Sequence, residues 1–104
     1  MRLVFRPEAL QELVEARDWY DGRKLGLGLE FVSHIEVAVE RILRSPLHFV
    51  CIHGEFRSVV VRKFPYSIIY HANDQELVVI SVFHHRREPG AWKKRTEHLQ
   101  PDER

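Results

Sequence analysis

One cysteine, Cys51, in a chain of 104 residues rules out an internal disulfide and fits a reducing compartment. No apolar run approaches the ~18–20 residues needed to span a bilayer. The opening Met-Arg-Leu-Val-Phe-Arg-Pro-Glu has no extended apolar core and no small-residue cleavage site, so a signal peptide is not expected and a cytoplasmic location is. There are no internal repeats and no low-complexity stretch. The seven histidines, including His48 and His53, show no ligand-spaced Cys/His pattern, so no metal is expected. Gly22, Gly26 and Gly28 match neither the dinucleotide nor the P-loop spacing, so they are read as a helix–helix connection and no cofactor is expected.

What is present is a soluble globular balance, 44% apolar and 30% charged, sufficient for one small domain. The net charge of +1 conceals an asymmetry. Residues 1–45 hold seven Lys/Arg against eight Asp/Glu, a net of −1, whereas residues 56–95 hold eight against three, a net of +5. A basic second half can attract a polyanion or an acidic peptide, or can simply be a solvated face.

Leu3, Val4 and Phe5 form a short strand candidate. Pro7 suits the first turn of a helix and Glu8 favours its dipole. Leu10, Leu13 and Val14 follow helical spacing, with Glu8, Glu12, Glu15 and Asp18 mostly elsewhere on the wheel, and Asp21-Gly22 ends the segment. Trp19 and Tyr20 read as core or helix–helix contacts. A second helix is predicted over 27–44, with Phe31, Ile35, Ala38 and Ile42 on one stripe and Val39 and Leu43 broadening it. Ser45-Pro46 stops it. Residues 46–55 read as a connection. Three strands follow: 56–64; Tyr66 to His71; and 76–84, whose run Leu77–Ile80, Val82, Phe83 predicts burial on both faces. Residues 96–104 read as a polar tail. The first strand joins a sheet edge. The fold class is therefore α+β, in the order β-α-α-β-β-β: a helical hairpin on a small twisted antiparallel sheet.

That order, the length and the string RSVVVRKFPYSIIYHANDQELVVISVFHHRREPGAW at 57–92 together resemble the RelE/ParE toxin superfamily. VRKFPYSIIY followed by a strand and HHRREPGAW is most like the ParE-type branch, over residues 1–95. The resemblance implies the toxin of a toxin–antitoxin pair, bound by a cognate antitoxin whose own N-terminal part meets operator DNA. It implies no membrane partner and, for the ParE branch, a role in plasmid stabilisation by a DNA gyrase inhibitor. RelE-type relatives instead cut mRNA in the ribosome, and a third alternative is a non-toxic relative that only binds a partner.

If the chain were a ribonuclease, the catalytic candidates would be His85, the best-placed acid/base, with Arg57, Arg62 and Arg86 for the phosphate charge. In one such subgroup a tyrosine follows the histidine, and an arginine stands on the middle strand. Here those positions hold Arg86 and Ser67. As a surface for target or antitoxin, the candidates are Arg57, Arg62, Lys63, His84, His85, Arg86, Arg87 and Trp92, within a basic strip that continues to Lys93-Lys94-Arg95. Adjacent strand residues face opposite ways, so His84 and His85 should separate. Trp92 is expected to dock on the core rather than stack on a base. Phe64, Tyr66 and Tyr70 are read as packing residues, and Cys51 as inert.

Overall fold

The computed structural model describes residues 1–97. The elements are β1 (Arg2–Phe5), α1 (Pro7–Arg23), α2 (Leu27–Arg44), β2 (Cys51–His53), β3 (Phe56–Val60), β4 (Tyr66–Ala72), β5 (Glu76–His84) and α3 (Gly90–Thr96). The predicted order holds with two additions, β2 and α3. The sheet runs β1-β5-β4-β3-β2. Its four strands β2 to β5 form an antiparallel meander, as expected, but β1 lies parallel to β5, so the sheet is mixed. The chain path permits the parallel pairing: α1 and α2 form a hairpin of two nearly equal helices, so β1 and the later strands are joined by an excursion long enough for a parallel neighbour.

Two helix signals carry physical weight. Pro7 occupies the first turn of α1, where its missing N–H costs nothing, and Glu8 follows it. At the α1–α2 connection, Gly26 takes φ 90°, and the Gly28 N–H donates to Asp21 Oδ1 at 2.7 Å. A Cβ on Gly28 would stand 2.4 Å from the Arg17 carbonyl oxygen. Backbone contact between the helices is therefore possible only with glycine there.

The sheet is buried on both faces. Phe31, Ile35, Ala38 and Ile42 of α2, with Ala9 and Ala16 of α1, pack on Val59, Ile68, Tyr70, Leu77, Val79 and Val82. On the other face Trp92 of α3 closes a second core with Phe56, Ile69, Val78 and Ile80. The double burial expected of β5 is thus observed, and α3 supplies the cover. Helix α3 takes in Thr96, the first residue of the predicted 96–104 tail, and buries it; residues 98–104 lie outside the described residues.

Several side chains fall differently from the helical wheel. Leu10 is 50% exposed and Val14 and Leu43 also face solvent, while Glu12 points inward. Trp19 is 55% exposed, although Tyr20 packs among Phe31, Phe64 and Tyr66 as expected. The strand predicted over 56–64 ends at Val60. The chain then turns through Lys63 at φ 70°, a left-handed conformation uncommon for lysine, before Pro65. Among the described residues no helix is long and apolar enough to cross a membrane.

Candidate functional site: a groove between the first helix and the end of the last strand

The end of β5 meets the C-terminal half of α1 around a groove of about 600 Å³. One wall is the face of α1 carrying Glu12, Glu15, Ala16 and Trp19. The other is formed by Pro65, Tyr66, Val82 and His84, with Arg86 and Arg87 at the mouth. Spacing explains the first wall: positions 12, 15, 16 and 19 recur at i, i+3, i+4 and i+7 on one helical face. The strand ladder explains the second, since Tyr66 stands opposite His84.

Glu12 organises this region. Its carboxylate accepts five hydrogen bonds: from Ser81 Oγ, Val82 N–H, Arg87 Nη1 and both terminal nitrogens of Arg95, at 2.7 to 3.1 Å. Its side chain is only 10% exposed, and that of Arg95 17%. A carboxylate so enclosed is tolerable because two guanidinium groups and two neutral donors replace its water. The network joins α1, β5, the loop after β5 and α3 through one side chain. Arg95 also donates to the Ile80 carbonyl at 2.8 Å. No pattern in the sequence marked Glu12, because its partners lie 69 to 83 residues away.

His84 and His85 do separate to opposite faces. His84 turns to the groove, edge-on to Tyr66 with ring centres 4.9 Å apart. Its Nδ1 accepts from the Arg86 N–H at 3.0 Å, which leaves Nε2 to carry the proton of the neutral ring. Burial lowers its pKa below the ordinary histidine value, and the neighbouring Arg86, His85 and Arg87 push it the same way. Burial also raises the hydroxyl pKa of Tyr66 and of Tyr20. On the opposite face the His85 Nε2 lies 2.9 Å from Ser67 Oγ, and its N–H bonds to the Pro65 carbonyl. A serine thus holds the histidine where the ribonuclease-like pattern has an arginine.

The other candidates disperse. Arg57 pairs with Tyr70, four strand positions from Tyr66, or about 13 Å along β4. There its Nη1 donates to the Phe49 carbonyl at 2.6 Å, pinning the loop before β2, while the Tyr70 hydroxyl pins Pro46. Arg62 and Lys63 are exposed in the β3–β4 turn, at the same end of the sheet as His85 and Arg86. Arg87 is half committed to Glu12. Trp92, 4% exposed, docks on the core as expected. Arg57, Arg62, His85 and Arg86 are therefore not gathered on one face, whereas His84, Arg86 and Arg87 share one groove. Among the described residues no cluster of His, Cys, Asp and Glu could hold a metal ion.

Comparison with known proteins bears on the fold and the family. A solved structure titled as the chromosomal ParDE toxin–antitoxin system from P. aeruginosa superposes with a TM-score of 0.71. It is 16% identical, over 81% of this chain and 95% of that one, a likeness of fold. No curated protein matches the sequence. The family described as the ParE toxin of the type II toxin–antitoxin system parDE matches residues 3–89, which run from β1 to the loop before α3. The chain belongs to the ParE toxin family of type II toxin–antitoxin systems.

Proposed function

We propose that this chain is the growth-arresting toxin of a cytoplasmic toxin–antitoxin pair, that it acts by binding DNA gyrase rather than by cleaving a bond itself, and that a cognate antitoxin neutralises it. The family supports the toxin reading. The observation that carries the choice against cleavage is the dispersal of the ribonuclease candidates: Arg57 is spent on the Phe49 carbonyl, about 13 Å along the sheet from the residues beside His85. General acid–base chemistry needs its groups within hydrogen-bond reach of one reacting centre. Binding needs only a shaped surface, and the groove with Arg86 at its mouth is one.

The test is induction of the chain from a tight promoter without any antitoxin, reading growth, the DNA-damage response and mRNA integrity together. Arrest with a damage response and intact mRNA is the expected result. Codon-positioned mRNA cuts would transfer the assignment to a ribosome-dependent endonuclease. Undisturbed growth with soluble protein would leave a partner-binding relative without toxicity. Arg86→Ala should weaken the arrest while leaving the melt unchanged; full arrest by that folded variant removes Arg86 from the target surface.

A further inference from the structure

The two edges of the sheet are not alike. β1 carries Arg2, ion-paired with Glu76, and Arg6 follows it, so charge guards that edge. β2 forms the other edge, and among the described residues no strand lies on its outer side. From Leu47 to Gly54 the chain has no Lys, Arg, Asp or Glu. Yet Leu47 is 67% exposed, Val50 65% and Ile52 40%. A bare apolar edge is a template for another strand. Its free backbone groups can be identified. The Val50 carbonyl accepts the Ser58 N–H at 3.2 Å, which makes Cys51 and Arg57 a pair whose own backbone groups point away from each other. Arg57 turns its groups toward β4, and Cys51, an exposed residue, turns its N–H and its carbonyl outward. The approach to the strand is already fixed, because Arg57 holds the Phe49 carbonyl and the Tyr70 hydroxyl holds that of Pro46. Little ordering is therefore left to be done on association.

We propose that β2 is a self-association edge, at which two copies of this chain pair their β2 strands antiparallel about a two-fold axis through Cys51 and join two five-stranded sheets into one. A single residue that offers both a donor and an acceptor is answered in full by the same residue of a second copy, the two exchanging both bonds. The register then follows by counting. On each side of the axis Val50 of one copy stands opposite Ile52 of the other, so apolar meets apolar and no like charges are opposed. The β1 edge fails the same test, since pairing about Val4 would set Arg2 of one copy against Arg6 of the other. A strongly charged partner strand would find no counter-charge along Leu47 to Gly54, which favours a second copy as the occupant. β3 and β4 lie between this edge and β5, so the groove beside α1 stays open in the dimer. The inference does not depend on the toxin reading, since it concerns self-association alone.

The experiment uses the full chain under reducing conditions, in sedimentation velocity from micromolar to millimolar protein. The parent should pass from monomer to dimer over that range. Val50→Lys and Ile52→Glu alter exposed side chains, so both should keep the parental circular dichroism and melt, and each should weaken the dimer at least tenfold. Mixing the two variants should restore association at least several-fold over either alone, because the introduced lysine and the introduced glutamate meet across the axis only in this register. The one cysteine gives a second readout. Paired residues that exchange both bonds stand about 5.5 Å apart at Cα, within disulfide reach. Mild copper-catalysed oxidation should therefore yield a covalent dimer through Cys51, and at least fivefold less of it from Val50→Lys. A chain that stays monomeric at millimolar concentration, a dimer indifferent to Val50→Lys, or a mixture that associates no better than its parts would each overturn the proposal. The outcome is separable from the growth assay: a chain that fails to arrest growth can still dimerise, and a toxic one can still be a monomer.

Discussion

Glu12→Ala should unmake the joint between α1, β5 and α3. The substitution leaves the Val82 N–H and the Arg95 guanidinium without their shared acceptor. Removing one partner of a buried ion pair costs about 3–5 kcal/mol, because the remaining charge stays enclosed. Arg87, with nearly half its side chain in water, adds no more than about 1 kcal/mol. Arg95 is not fully enclosed, so water can partly re-solvate it, which places the loss near the lower end, about 3 kcal/mol. For a domain of this size that corresponds to a melting temperature lowered by at least about 12 °C. Urea unfolding followed by tryptophan fluorescence and circular dichroism reads it, because Trp92 reports on α3. Glu12→Gln keeps an oxygen for Ser81 and Val82 but loses the charge, and should cost about half as much. The double variant Glu12→Ala with Arg95→Ala should be less destabilised than the sum of the two single variants. A Glu12→Ala protein within about 0.5 kcal/mol of the parent would refute the reasoning, and would mean that the five hydrogen bonds exchange with water at no net cost.

Three further expectations follow from the geometry. Gly28→Ala should destabilise by about 1–3 kcal/mol in chemical denaturation, since its Cβ would meet a backbone oxygen that cannot swing away; an unchanged midpoint would show that the helices can part freely. Tyr70→Phe strands the Pro46 carbonyl and should cost about 1–2 kcal/mol. Because burial pushes the Tyr70 hydroxyl up to about 12, parental stability should also fall between roughly pH 10 and 12, where the unfolded chain ionises first. His71 and His84 are both held below the ordinary histidine value, chiefly by burial. The unfolded chain therefore binds their protons at higher pH, and stability should decline as the pH drops below about 6.5, with a slope no steeper than ~1.4 kcal/mol per unit for His71 and shallower for the more open His84. His71→Leu should flatten that decline in acid titrations of the melt, and a variant with the parental slope would clear His71.

The strands and helices were legible where one physical rule governed each. The β5 run predicts burial on both faces whatever the cover turns out to be, and the Phe31 to Ile42 stripe defines its own interface. The failures have a shared cause, namely contacts distant in sequence. On α1 the wheel favours Leu10 and Val14 as core, but the segment lies along a sheet edge where β5 offers an unpaired N–H, and the residue answering it is a glutamate. The three-residue strand β2 exists because Gly54, at φ 57°, lets the chain reverse onto β3, a local cue too brief to register beside the apolar residues around it. The basic strip was legible as charge but not as structure: Arg95 and Arg57 are fasteners, whereas Arg62, Lys63, Arg86, Lys93 and Lys94 reach outward. His84, rather than the better acid/base candidate His85, shares the groove, a choice decided by strand parity relative to Tyr66.

The parallel pairing of β1 with β5 has a consequence in time. Arg2 meets Glu76, so the first strand made must wait for nearly the last one before it has a neighbour. At ordinary rates of synthesis, 5–20 residues per second, that wait lasts roughly 4–15 s. Throughout it the apolar side of α1 and α2 has no complete sheet to pack on, and the groove does not exist, because one of its walls has not been translated. A partner that arrives within that interval meets a chain whose groove is still incomplete.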